Sequence, residues 1–341
     1  MKKRVLIAVI ALLTVALLLG FMQALVVPKY VKNPEGLLVG EYYAEAGEHD
    51  VIFVGDCEVY ETFIPAVLWD EYKISSYVRG SAQQLAWHSY YLLEDTLRYE
   101  TPKAVVFNVY SLKYGEPQRE EYNRMTLDSM EWSLTKIRAI RASMTDEEVF
   151  LDYVFPLLRY HSRITQLEKE DLTYMFSTPK ASHSGYLMQK GIAAASEYDL
   201  EENKNPPDDL AYPQISMDYL EKMRALCEER GIELILIKAP TNSNTYWYFD
   251  EWDEQIREYA EEKHLAYYNL IENVDDMGID FTKDDTYDHG LHLNVYGAEK
   301  ATRYFGKILK DNHGLGNTEH TKAHEAAWSV RLEEYKKERD L

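Results

Sequence analysis

The 341-residue chain predicts an α/β protein: a flavodoxin-like three-layer sandwich with a central parallel sheet, an N-terminal transmembrane helix and an inserted cap region. Three observations carry this. One long apolar run opens the chain, short apolar runs then alternate with amphipathic stretches from Asp50 onward, and a central stretch breaks that alternation.

The opening run extends from Val5 to Val27 behind Lys2, Lys3 and Arg4 and is interrupted only by Thr14, Gly20 and Gln23. A helix needs about 20 apolar residues to cross a bilayer. The basic cluster predicts that residues 1–4 stay cytoplasmic, 5–27 span, and everything beyond is exported as a single-pass membrane protein. A cleaved signal peptide is the competing reading, disfavoured by the length of the run and by the lack of a small-x-small site. Residues 28–48 read as a stalk opened by Pro28.

Strands are expected at Val51–Val54, Ser75–Val78, Ala104–Val109, Glu233–Lys238 and Ala266–Asn269. Helices are expected over Pro65–Tyr72, Gln84–Tyr99, Met217–Arg230, Asp250–Lys263 and Val295–Lys310. Together they define one domain over 49–312. The mixed stretch of about 113–216, tyrosine-rich and locally proline-rich at Asn205-Pro206-Pro207, reads as an insertion or cap over the strand ends. Residues 313–341 form a charged tail anchored by Trp328 and Leu332.

Composition narrows the function. A formal charge of −21 repels phosphates and argues against nucleic acid. Only two cysteines, Cys57 and Cys227, occur, in unlike settings, so a disulfide framework is not expected. Cys227 reads as core of an amphipathic helix. The 28 tyrosines suit sugar faces as well as cores. No cofactor is expected. Asp284, Asp285, Asp288, His289 and His292 are dense but lack a clear metal-ligand spacing, and His161, His183 and His264 read as surface or cap.

Ligands of open parallel sheets sit beyond the carboxyl ends of the strands. The first strand runs into Gly55-Asp56-Cys57-Glu58, and Asp288-His289-Gly290-Leu291-His292-Leu293-Asn294 precedes the last helix. A cysteine nucleophile needs a base and the base needs an orienting acid. Cys57, His292 and Asp288 supply that set, with Asp284 and Asp285 as rivals for the acid. Glu58 adds an opposing negative charge beside the thiol. Gly80, Asn108 and the amide of Cys57 are the candidates for an oxyanion hole.

The ordered blocks Gly55-Asp56-Cys57, Gly80, Asn108 and His292 resemble those of the SGNH/GDSL hydrolases, over about 50–113 and 217–312. That resemblance implies the SGNH hydrolase fold, acyl transfer by the residue after Gly-Asp, and an oxyanion hole completed by the glycine and asparagine. Cys57 stands where the family has serine. Asp288 lies at Asp-x-x-x-His spacing, with His289 in the usual acid position, and Asn108 lies in Phe-Asn-Val-Tyr. Exported, anchored proteins of this kind resemble cell-envelope acyl-handling proteins, which implies an esterase or O-acyltransferase acting on a polysaccharide or acyl ester beside a membrane-bound O-acyltransferase. A non-catalytic tethered scaffold or glycan-binding module, and a cysteine hydrolase of thioesters or peptides, are the other readings.

Overall fold

A computed structural model describes residues 2–47, 49–196, 209–242 and 249–340. Five parallel strands, β1 (Val51–Gly55), β2 (Ser76–Gly80), β3 (Ala104–Asn108), β4 (Glu233–Lys238) and β5 (Ala266–Asn269), form one sheet in the order β2-β1-β3-β4-β5. This is the strand order of the flavodoxin-like doubly wound arrangement. Strands covered on both faces are apolar at nearly every position, and Val51, Ile52, Phe53 and Val54 are all fully buried.

Side-chain alternation sends these residues into two cores. Ile52, Val54, Val105, Phe107, Leu234 and Leu236 meet Trp87, Leu92 and Leu93 from the helix Ala86–Thr96, and Leu220, Met223 and Cys227 from the helix Gln214–Arg230. Val51, Phe53, Val106, Ile235 and Ile237 meet Phe63, Leu68, Phe305 and Leu309 on the opposite face. The helix after β2 is shorter than its apolar pattern suggests, because Leu85 is already extended and ring nitrogen Nδ1 of His88 accepts from the Leu85 amide at its start. Register aligns Gly55 with Gly80, and Asn108 with Ile237 beside Lys238, so the ends of four strands share one rim.

The N-terminal helix α1 (Lys2–Val26) is long and apolar enough to cross a membrane, and it is exposed along most of its length. The segment after it is no free stalk from Leu37 on. Val39 and Tyr42 are fully buried, and the buried Arg79 donates to the Val39 carbonyl at 2.9 Å and to Asp95 at 3.0 Å while its guanidinium lies 4.1 Å from the Tyr42 ring centre. A buried guanidinium needs all its donors answered, and this segment answers one of them.

The insertion also departs from a simple cap. Its helix Leu134–Ser143 packs on Ala86–Thr96, and Pro156–Tyr160 and Lys169–Thr173 pack on α1. Parts of it do reach the strand ends: Thr126 shares a hydrogen bond with Ser81 just past β2, Leu187 donates to the Tyr60 carbonyl, and Val295 donates to that of Gln189. Asn205-Pro206-Pro207 lies outside the described residues. The tail forms the helix Lys322–Arg339, docked by Trp328 stacked on Trp69 at 5.5 Å and by Tyr335, whose hydroxyl donates to Glu299 at 2.7 Å. Leu332 is a lesser, partly buried contact.

Candidate functional site

Gly55 closes β1 where a side chain has no room: a Cβ there would lie 2.4 Å from Val59 and 3.0 Å from Asn108. Asp56 then caps the short helix Cys57–Tyr60, accepting from the Glu58 amide at 3.3 Å. Cys57 thus emerges at the rim, partly exposed.

Across the rim, the loop before the helix Val295–His313 carries Asp288 and His292. Asp288 Oδ2 lies 2.6 Å from His292 Nδ1, and Asp288 Oδ1 accepts from the His292 backbone amide at 2.8 Å. The extra residue in the Asp-x-x-x-His spacing is absorbed by a left-handed pair, His289 at φ 65° and Gly290 at φ 96°, which folds the carboxylate back onto the ring. The rival acids are placed elsewhere: Asp285 is buried against Lys300 at 2.7 Å, and Asp284 is exposed. With Nδ1 turned to Asp288, the imidazole lies close enough to the Cys57 thiol for each to shift the other's protonation. Cys57, His292 and Asp288 therefore meet despite the chain length between them.

The proposed oxyanion donors are arranged differently. Asn108 is buried, and its amide donates to Glu58 at 2.9 Å and to Asp56 at 3.3 Å while its carbonyl accepts from the Ala239 amide. Glu58 is held in turn by the buried Lys238, at 2.9 and 2.8 Å to its two oxygens. Both amide hydrogens of Asn108 thus serve internal carboxylates, so a substrate oxygen reaches them only by displacing Glu58 or Asp56. Gly80 lies under the Tyr60 ring, which a Cβ would approach to 2.9 Å.

Sequence reasoning also missed a second acid. Glu61, one helical turn beyond Cys57, lies 3.7 Å from His292 Nδ1. Tyr287 donates to both its oxygens, at 3.0 and 2.9 Å, and Gln189 donates at 3.3 Å. The Tyr287 ring also stacks on the imidazole. The i to i+4 spacing from Cys57 was the available signal for Glu61, and the strand-end position was the signal for Lys238.

Burial and charge set the protonation states. Burial, reinforced by the Asp56 charge, pushes the Cys57 thiol up to about 11. Burial opposes a charge on His292, but the sulfur, Asp288 and Glu61 together raise its pKa well above the ordinary value. Asp56, buried beside Glu58, rises to about 7, and so does the buried Glu61. Lys113 also faces this cluster, and burial lowers it to about 8 against the pull of Glu58 and Asp56. Burial therefore favours the protonated thiol at Cys57, and a charge on the sulfur and one on the imidazole support each other.

Two results are expected from this. Alkylation of Cys57 by iodoacetamide should be slow at neutral pH and still be climbing above pH 9, because only the thiolate reacts and its formation is displaced upward; a plateau reached by pH 8 would contradict it. Glu61→Gln removes one of two carboxylates facing the imidazole, so His292 should titrate at lower pH by NMR and Cys57 should alkylate faster. An unchanged His292 titration would show that Glu61 exerts no charge effect there.

Fold and rim define the class: an α/β protein with a doubly wound parallel sheet and a Cys-His-Asp cluster at the carboxyl ends of its strands. Compared with known protein families and with curated proteins, the chain matches none.

Proposed function

We propose that the protein is an SGNH-type acyl esterase or O-acyltransferase, held in the membrane by α1 with its domain outside the cytoplasm, acting through Cys57 and His292 on a cell-envelope polysaccharide. The single observation that carries this reading is the contact of Cys57, His292 and Asp288 at the strand ends. The 2-1-3-4-5 strand order and the basic residues that open α1 support it.

In the reaction, the Cys57 sulfur attacks the acyl carbonyl carbon while His292, deprotonated and oriented by Asp288, takes the thiol proton. The imidazolium then protonates the departing alkoxide, leaving a thioester on Cys57. Water, or a sugar hydroxyl deprotonated by His292, attacks the thioester; the acyl group leaves and Cys57 recovers its proton. The Cys57 amide remains as an oxyanion donor, and Asn108 joins it if Glu58 moves aside. A membrane-bound O-acyltransferase would supply the acyl group in the transfer version.

A second reading is favoured by the Glu58–Lys238 pair on Asn108: a tethered scaffold or glycan-binding module whose oxyanion hole is filled by its own carboxylate. Turnover of a simple acetyl ester and an acetyl thioester separates the two. The catalytic reading expects hydrolysis that rises with pH and is lost in His292→Ala. Equal rates in both proteins would leave the binding module.

A further inference from the structure

The insertion carries a group of large apolar side chains directed to solvent: Phe155, Leu158, Ile164, Leu172 and Phe176, from 44% to 82% exposed. A patch of this kind marks a surface that meets something other than water. Its place in the fold says what. The short helices Pro156–Tyr160, His161–Gln166 and Lys169–Thr173, which supply Leu158, Ile164 and Leu172, are the elements that pack on α1. Phe176, the most exposed of the group, lines a cleft with Ala24 and Val27 at the end of α1.

The junction is built as a rigid one. The last carbonyls of a helix have no partner within it. Here Lys29 donates to those of Ala24 and Val27, and Arg163 of the insertion donates to that of Val26 while also pairing with Asp171 at 2.8 Å. Lys32 reaches back to Glu168 at 2.5 Å. The insertion is therefore clamped around the last turn of α1.

Length then decides how deep that clamp sits. Met22 to Val26 are partly or fully covered by the domain, while Val5 to Phe21 are exposed. That exposed part measures ~26 Å at a rise of 1.5 Å per residue, short of the ~30 Å of a bilayer's hydrocarbon core. The missing few ångströms lie at the level of the elements wrapped around Met22 to Val26, where the exposed apolar side chains are.

We propose that the apolar face of residues 155–176 enters the outer leaflet of the lipid bilayer beside α1, giving the domain a second, monotopic membrane contact. The occupant is lipid, because Phe176 shares a cleft with Ala24 and Val27 at the end of a helix suited to lipid, and the other exposed apolar side chains come from the elements packed on that helix. The inference rests on α1 spanning the bilayer, and it gives the domain a fixed seat on the membrane surface in place of a swinging tether.

The test uses the full chain in phosphatidylcholine nanodiscs with single bimane-labelled cysteines at Leu12, Leu172, Phe176 or Val330, in a Cys57→Ser background in which Cys227 is buried. Val330, 59% exposed on the tail helix, is the aqueous reference. The proposal expects spin-labelled lipid to quench the labels at Leu172 and Phe176 as it quenches Leu12, with loss of quenching by aqueous iodide, and expects Val330 to behave in the opposite way. Iodide access at Leu172 and Phe176, with Leu12 quenched by lipid, would overturn the second contact and leave α1 as the sole anchor. Iodide access at Leu12 as well would overturn the spanning helix and the inference with it. Shielding from iodide without quenching by lipid would assign the face to a second copy of the chain and overturn the lipid assignment.

Discussion

Cys57→Ala should form no acyl-enzyme when the full chain is incubated with an activated acetyl ester and examined by intact mass. The sulfur is the group that bonds to the acyl carbon in the proposed reaction, and Cys227 is buried in the core on the opposite side of the chemistry's requirements: it has no imidazole partner in its helix and burial pushes its thiol up to about 12. His292→Ala should lower the acylation rate roughly 10⁶-fold, the scale seen when the base of a catalytic triad is removed. The thiol loses its proton acceptor, and its own pKa of about 11 leaves little thiolate at neutral pH to act unaided. Cys57→Ser should stay dependent on His292, since a hydroxyl needs the base even more than a thiol does. Equal labelling of the wild type and Cys57→Ala would remove the nucleophile from the scheme.

Lys238→Ala should be the most damaging single change to stability near the rim, costing about 3–5 kcal/mol as expected for breaking a buried ion pair. Both side chains are sequestered, Lys238 completely and Glu58 to 6% exposure. Removing the ammonium leaves a buried carboxylate hydrogen-bonded by Asn108, with Lys113 acting on it only through charge, in surroundings where an unpaired charge is poorly solvated. The double change Glu58→Gln with Lys238→Met removes both charges and should recover most of the loss, because the expense lies in leaving one charge alone. Urea unfolding of the three proteins, compared at equal slope, measures this. A loss below about 1 kcal/mol in the single variant would mean that water or a neighbour takes over the role of Lys238.

The same pair bears on the chemistry. Glu58 follows the nucleophile position directly, and in the folded protein it turns inward to claim the amide of Asn108. The catalytic reading asks this carboxylate to move when substrate arrives, and the binding-module reading asks it to stay. The ester and thioester assay therefore also reports on whether the Glu58–Asn108 bond opens.

The parts legible in the sequence are those governed by local pattern. A parallel strand buried on both faces is apolar at nearly every position, so Val51–Val54 and Leu234–Ile237 stand out as runs; α1 stands out as an almost wholly apolar run long enough to cross a membrane. Cys57, Asn108 and His292 could be singled out because ligands of such sheets gather where strands end. Among the acids, the sequence put Asp288 first with Asp284 and Asp285 as rivals; the tertiary structure decided between them, because the left-handed turn at His289 and Gly290 folds the Asp288 carboxylate onto the ring, and it alone brought Glu61 to the same imidazole. It alone decided that Asn108 is answered by Glu58 and Asp56 and that Lys238 holds Glu58 there, a pairing across long stretches of chain that no spacing encodes. It alone separated the apolar residues of the insertion into core and exposed face, because hydrophobicity in a sequence records that a side chain avoids water and not whether protein or lipid covers it.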